Sequence, residues 1–225
     1  MVLRVLTPLE AKEVYEDWRF WARPEQIAPP GNWRIWLILA GRGFGKTRCG
    51  AEWVLEQVRR GRQRIALVGE TKADVRDVMV EGESGILSSA GENRPLYEPS
   101  KRRLTWPNGA VATCYSGDEP DQLRGPQHDG AWLDELAKYR YADDTWSNLD
   151  LGLRLGESPQ VVITTTPRPI KILRELMDDR LVRTTRGSTY ANLPNLAESF
   201  AQRIIDKYEG TRLGRQELHA EILDD

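Results

Sequence analysis

A chain of 225 residues is long enough to close one large α/β domain with a small appended subdomain, and too short for two full domains. Its 40% hydrophobic and 29% charged residues are those of a soluble globular protein, and no apolar run approaches a membrane span, so no membrane partner is expected. A net charge of −2 carries no whole-chain sign of a polyanion-binding protein.

The N-terminus, MVLRVLTPLEAKE, carries acidic residues early and lacks a long apolar core before a small-residue cleavage site, so no signal peptide is read and a cytoplasmic location is expected. Pro8 to Phe20 is predicted helical. Arg23 to Pro30 is predicted to be an extended connector, because its prolines preclude a regular helix. The apolar run Ile35 to Leu39 is a predicted strand. It meets Ala40-Gly41-Arg42-Gly43-Phe44-Gly45-Lys46-Thr47, after which Thr47, Ala51, Val54, Leu55 and Val58 fall on one helical face that Gly61 terminates.

Strand, glycine loop and helix in that order form a phosphate-binding pattern. Glycines let several backbone N–H groups turn towards one point, where the helix N-terminus adds a favourable dipole. Lys46 then reaches the β and γ phosphates as a point charge, and the Thr47 hydroxyl ligates Mg²⁺. The first glycine of the usual pattern is Ala40 here. The predicted ATP-binding stretch is therefore Ala40, Gly41, Arg42, Gly43, Phe44, Gly45, Lys46 and Thr47; the competing reading is a Gly-rich turn without a ligand.

Further along, Ile65 to Val68 is a short buried strand, and Thr71 with Asp74 forms an N-cap pair that predicts a helix over Lys72 to Val80. Leu104–Trp106 and Ala110–Tyr115 flank Pro107-Asn108-Gly109 and predict a hairpin. Ser116 to Asp129 is a polar, Gly/Pro-punctuated loop. Ala131-Trp132-Leu133 is a strand interrupted at its start by Asp129 and Gly130, and Asp143 to Leu155 is a helix. Val161 to Ile163 is a strand ending in Thr164-Thr165-Thr166. Leu196–Tyr208 and Leu213–Leu223 are helical by pattern. Alternating strands and helices predict a mostly parallel sheet flanked by helices. Cys49 and Cys114 lack metal-ligand spacing and are read as buried reduced thiols, while Arg59, Arg60, Arg62 and Arg64 and the run Lys101–Arg103 are read as solvated charge.

The pair Asp134-Glu135 closes an apolar stretch in a chain that already holds a phosphate loop. In P-loop hydrolases such an Asp holds Mg²⁺ and the following Glu orients and deprotonates the attacking water, so Asp134 is assigned to the metal and Glu135 to the water. Alone, the pair would be a surface feature. The triple threonine offers hydroxyls at the sheet edge where open α/β folds bind ligands, or is β-branched strand filler. Arg124 can stabilise charge on a transferring phosphoryl group, or is an ordinary surface residue.

AGRGFGKTRCGAEWV, VGETKADVRDVMVEGESGIL, SGDEPDQLRGPQHDGAWLDELAKY and VVITTTPRP together resemble the ATPase part of a large terminase subunit, the motor that packages DNA into tailed phage and phage-like capsids. The resemblance runs from about Trp18 to the end. It implies a RecA-like P-loop ATPase of the additional-strand, catalytic-Glu (ASCE) type, with ATP and Mg²⁺ as cofactors. It further implies double-stranded DNA, a homo-oligomeric ring on a capsid portal, and a small terminase subunit as partners. By the same resemblance Arg42 lies near the nucleotide, Thr164 to Thr166 form a coupling motif, and Arg124 is an arginine finger acting across a subunit interface. The segment around Arg23 and Gln26 resembles the family's adenine-side motif, where Trp18, Trp21 or Trp33 would stack on a base or serve as core.

Residues 1–190 are expected to be the ATPase core and 191–225 a helical lid or linker. The nuclease domain that follows the motor in large terminases has no counterpart before Asp225, and Asp224 and Asp225 are not its carboxylate cluster, so weak ATPase activity without DNA cleavage is expected. Three rival readings stand beside this one: another RecA-like helicase or translocase, a nucleotide-gated assembly module with little turnover, and a small-molecule kinase.

Overall fold

The computed structural model describes residues 6–223, so Asp224 and Asp225 lie outside the described residues. It opens with α1 (Pro8–Glu16) and α2 (Trp18–Trp21). The single helix predicted from Pro8 to Phe20 is broken at Asp17. That residue's extended backbone ends α1, while its carboxylate accepts the Arg19 N–H and caps α2. The proline connector is also less extended than predicted, since Pro24–Gln26 make a 3₁₀ turn.

The chain then runs through β1 (Ile35–Ala40), α3 (Lys46–Arg59), β2 (Arg64–Gly69) and α4 (Lys72–Asp74). The helix predicted over Lys72–Val80 forms over that whole stretch, but is α-helical only to Asp74 and widens into a π-helix over Val75–Val80. Next come α5 (Ile86–Ser89), β3 (Leu96–Glu98), β4 (Arg103–Thr105), β5 (Val111–Ser116) and β6 (Gly130–Asp134). The last part holds α6 (Ala142–Gly152), β7 (Gln160–Thr165), α7 (Lys171–Asp178), β8 (Val182–Gly187), α8 (Glu198–Tyr208) and α9 (Arg212–Glu217). The helix predicted to reach Leu223 thus stops at Glu217, and beyond it an irregular stretch buries Leu218, Ala220 and Leu223.

The sheet has the order β3-β4-β5-β2-β6-β7-β1-β8. From β5 to β8 all neighbours are parallel; β3 and β4 add an antiparallel edge through the predicted hairpin. Strand β7 therefore lies between the strand that feeds the glycine loop and the strand that carries the carboxylate pair. Side-chain alternation sends Trp36, Ile38 and Ala40 to one core with α3, and Ile35, Leu37 and Leu39 to the other, with α6 and α7. Trp132 and Val162 share the α3 face, so Asp134 and Thr164, two residues on, share it too.

Asp129 and Gly130 do not interrupt β6 as the sequence suggested. Gly130 begins the strand, and the buried Asp129 carboxylate accepts the N–H groups of Gln63 (2.7 Å) and Arg64 (3.1 Å), fixing the start of β2 beside it. Arg62, read as solvated charge, is half-buried here and donates to Asp129 O, Ser158 O and Gln160. Cys49 and Cys114 are buried free thiols, each pushed up to about 12 by burial. Among the described residues no helix is long and apolar enough to cross a membrane.

Gly50 sets how closely α3 approaches the sheet, because a Cβ there would stand 2.1 Å from Trp132 Cε2. Overlap with a fully buried indole forces the helix away from β6. Gly50→Ala should cost about 2–3 kcal/mol in urea unfolding despite alanine's higher helix propensity.

Candidate active site

The glycine loop leaves β1 with two contacts to distant chain. Gly41 N–H donates to Gly187 O at the end of β8 (2.9 Å), and Arg42 N–H donates to Glu217 O at the end of α9 (2.7 Å). Gly43 (φ 76°) and Gly45 (φ 96°) take left-handed conformations that reverse the chain into α3. Among the described residues, the N–H groups of Gly43, Gly45, Lys46, Thr47 and Arg48 make no hydrogen bond. These are orphan donors at a helix N-terminus, the arrangement that fits phosphate oxygens. The carbonyls of the same loop are occupied: Thr189 Oγ1 donates to Arg42 O, Asn192 Nδ2 to Gly43 O, and Arg23 Nη2 and Gln26 Nε2 to Phe44 O.

Lys46 is buried and donates to Ala40 O (2.9 Å), Gly41 O (3.3 Å) and Thr166 Oγ1 (3.0 Å), with Glu135 Oε1 at 3.4 Å. Thr166 touches both partners, because its N–H donates to Glu135 Oε2 at 3.2 Å. Glu135 sits in the left-handed region (φ 58°), a conformation uncommon for a non-glycine residue and one that turns the chain sharply after β6. Burial raises its pKa, but the charges of Lys46 and Lys138 and the Thr166 N–H outweigh burial and hold it below the ordinary glutamate value.

Asp134 has the opposite balance. Burial first and the Glu135 charge second push its pKa up to about 6, against the hydrogen bond from Thr164 Oγ1 at 2.6 Å. Trp132 Nε1 donates to Thr164 Oγ1 (2.8 Å), so indole, hydroxyl and carboxylate form a chain on the α3 face. The Tyr139 hydroxyl lies within hydrogen-bond distance of Val68 O (2.6 Å) and Asp134 O (2.8 Å), anchoring the acidic strand from its far side.

Fold and packing bring together the loop 40–47, Asp134, Glu135, Thr164 and Thr166. Thr165 is separated from them: its side chain accepts the Ala137 N–H (3.1 Å) and steadies the turn after Glu135. Thr47 lies half-buried in the first turn of α3. Gln26 is buried against the loop, whereas the Arg42 side chain is exposed and has Glu217 Oε2 at 3.8 Å. Arg124 does not join the cluster; its exposed guanidinium contacts Asp121 (3.1 Å) and Asn148 (3.3 Å). Trp33 is a core residue whose Nε1 donates to Pro29 O, Trp18 packs on the same core below the Arg48 guanidinium, and Trp21 is exposed. Sequence reasoning passed over Thr189, Asn192 and Tyr139; of these only Tyr139 stood within a quoted motif.

Among the described residues no cluster of three or more His, Cys, Asp or Glu could hold a metal by itself. One hydroxyl, Thr47, and one buried carboxylate, Asp134, instead match how Mg²⁺ is held when phosphates and water supply the remaining ligands.

A parallel sheet with a strand inserted between the phosphate-loop strand and the acidic strand, closed by Lys46 and Glu135 in contact, defines a P-loop ATPase of the additional-strand, catalytic-Glu class. A family model described as "Terminase large subunit, T4likevirus-type, N-terminal" matches residues 37–225, and the chain belongs to that family as the ATPase domain of a DNA-packaging terminase. No curated protein matches the sequence. Among solved structures, the Thermus phage P74-26 large terminase ATPase domain is similar with a TM-score of 0.70 at 17% identity, covering 92% of this chain and 99% of that one. The large terminase of a thermophilic bacteriophage, in complex with ATP-γ-S, is similar with a TM-score of 0.68 at 15% identity, over 93% of this chain and 51% of that one. The HK97 bacteriophage large terminase gives 0.60 at 16% identity, over 95% and 50%. The chain thus spans about half the length of these last two large terminases.

A carboxyl whose folded pKa is about 6 against an ordinary 3.8 favours folding while protonated and loses that advantage as pH rises between those values. In EDTA, parent stability relative to Asp134→Asn should therefore fall by about 2 kcal/mol from pH 4 to pH 7, read as the difference between two urea-unfolding series.

Proposed function

We propose that this domain binds Mg²⁺-ATP at Ala40–Thr47 and hydrolyses it to drive double-stranded DNA into a capsid, as one member of a homo-oligomeric ring on a portal in the host cytoplasm. The small terminase subunit would be a further partner. The observation that carries the reading is the contact of Lys46 with Glu135 through Thr166, directly beside the open N–H groups of the loop. The thermophilic bacteriophage's large terminase, in complex with ATP-γ-S, has the same fold and supports nucleotide as the ligand.

The open N–H groups of Gly43, Gly45, Lys46, Thr47 and Arg48 bind the phosphates, and Lys46 shifts its charge from Glu135 to them. Losing its strongest cationic neighbour raises the basicity of Glu135, which then accepts a proton from water aligned with the γ-phosphate. Thr47 and Asp134 would hold Mg²⁺, which would supply positive charge against the negative charge that develops on the phosphates. Thr164 and Thr166 link the acidic pair and Lys46 to β7, so they can register γ-phosphate loss; Thr165 stiffens the adjoining turn. Gln26 and Arg42 complete the nucleotide's surroundings from the two sides of the loop. Residues 191–225 act as the lid that carries the movement. The exposed Arg124 suits action on a neighbour's nucleotide, since its contacts lie outside its own site.

Lys46→Ala should abolish measurable Mg²⁺-ATP affinity in calorimetry. Glu135→Gln should retain affinity and lose at least about 100-fold in turnover. Arg124→Ala and Glu135→Gln proteins, each inactive, should regain ATPase activity when mixed on portal and DNA, because a mixed ring offers intact Glu135 beside intact Arg124. DNA binding should be independent of sequence and weaken with salt, without strand displacement; unwinding would favour a helicase.

A further inference from the structure

The peptide units of the glycine loop are held from outside by side chains, and two of these side chains belong to the segment after β8. A trans peptide is a rigid plane whose C=O and following N–H point in opposite directions, and no cis bond occurs among the described residues. A donor on one carbonyl therefore aims the next N–H the other way. Thr189 Oγ1, 2.6 Å from Arg42 O, aims the open Gly43 N–H; Asn192 Nδ2, 2.6 Å from Gly43 O, aims the Phe44 N–H back into the loop, where it donates to Gly41 O at 3.4 Å and closes the turn that carries Gly43. Arg23 and Gln26 aim the open Gly45 N–H through Phe44 O, at 2.7 and 3.2 Å.

These donors are themselves immobilised. Thr189 is 1% exposed, and its N–H donates to Leu218 O at 2.8 Å. Asn192 Oδ1 accepts from Arg23 Nη1 and from Asn195 Nδ2. The same segment leaves no room for side chains on the loop. A Cβ on Gly41 would meet Glu217 O at 2.4 Å and Thr189 Oγ1 at 2.9 Å, and one on Gly43 would meet Leu196 at 3.1 Å. Phe44 is fully buried and anchors the loop at one point, but Gly41, Gly43 and Gly45 have no side chains to fix their own peptide planes, and free glycine backbone loses the most entropy when a ligand orders it.

We infer that Thr189 and Asn192 are positioning residues of the nucleotide site, Thr189 presetting the direction of the phosphate-facing Gly43 N–H and Asn192 fixing the Gly41–Phe44 turn that carries it. Their contribution is to nucleotide affinity, and the cleavage step is left to Lys46 and Glu135. The inference rests on the nucleotide reading given above.

The test is calorimetric titration of ADP and ATP-γ-S with Mg²⁺, together with steady-state ATPase kinetics, on the parent, Thr189→Val, Thr189→Ser and Asn192→Ala. Thr189→Val and Asn192→Ala should each weaken binding about 5- to 10-fold and raise KM by a similar factor, with kcat within about twofold; Thr189→Ser, which keeps the donor, should bind as the parent does. If the contacts only pin the C-terminal segment, the variants will lose thermal stability while the folded protein keeps parental affinity, and the inference is overturned. Asn192→Ala, at a half-buried position, gives the same readout should Thr189→Val not fold. A parent without nucleotide affinity would overturn the nucleotide reading itself, which separates that failure from this one.

Discussion

Between β1 and α3 the backbone presents the N–H groups of Gly43, Gly45, Lys46, Thr47 and Arg48 without partners among the described residues. Unpaired backbone donors are costly to enclose, so this stretch must stay accessible to water or to an anion, and the surrounding chain is arranged to keep it that way. Behind the loop, carbonyls take donors from Lys46, Thr189, Asn192, Arg23 and Gln26; in front of it the donors stay open. Left-handed Gly43 and Gly45 make that separation sterically possible.

The charges around this opening are balanced in pairs. Lys46 is enclosed by two main-chain carbonyls and the Thr166 hydroxyl, and its ammonium is compensated by Glu135. Glu135 keeps its proton off because two lysines and an N–H face it, while Asp134, one residue earlier, is desolvated and held by a single hydroxyl. Two adjacent carboxylates thereby acquire different affinities for protons, which is how neighbouring acids come to take different roles. The left-handed turn at Glu135 breaks the strand alternation that would have placed it on the opposite face from Lys46.

Sheet order decides which of these groups meet. Because β7 is inserted between β1 and β6, Thr164 and Thr166 stand between the phosphate loop and the acidic pair and touch both sides. Edge strand β8 brings Gly187 to Gly41 and delivers the following segment across the back of the loop, where Thr189 and Asn192 attach. The candidate site is thus assembled from the carboxyl ends of three neighbouring strands, where open α/β sheets place their ligands.

The strand–loop–helix unit at Ile35–Val58 was legible from the sequence because it is local: glycine spacing, an apolar run and a 3.6-residue period all lie within one short window. Asp134 and Glu135 were legible for the same reason, as the end of an apolar strand, and the parallel α/β class followed from alternating patterns. Edge strand β8 was missed because its exposed residues carry no apolar run, and α9 was overextended because buried Leu218 and Leu223 imitate a helical face while packing from irregular chain. Which threonine faces Lys46, how Asp129 serves β2, and what Thr189 and Asn192 hold depended on contacts between residues 65 to 149 positions apart. Separation of that order leaves no periodicity in the chain, so only the order and register of the strands could decide them.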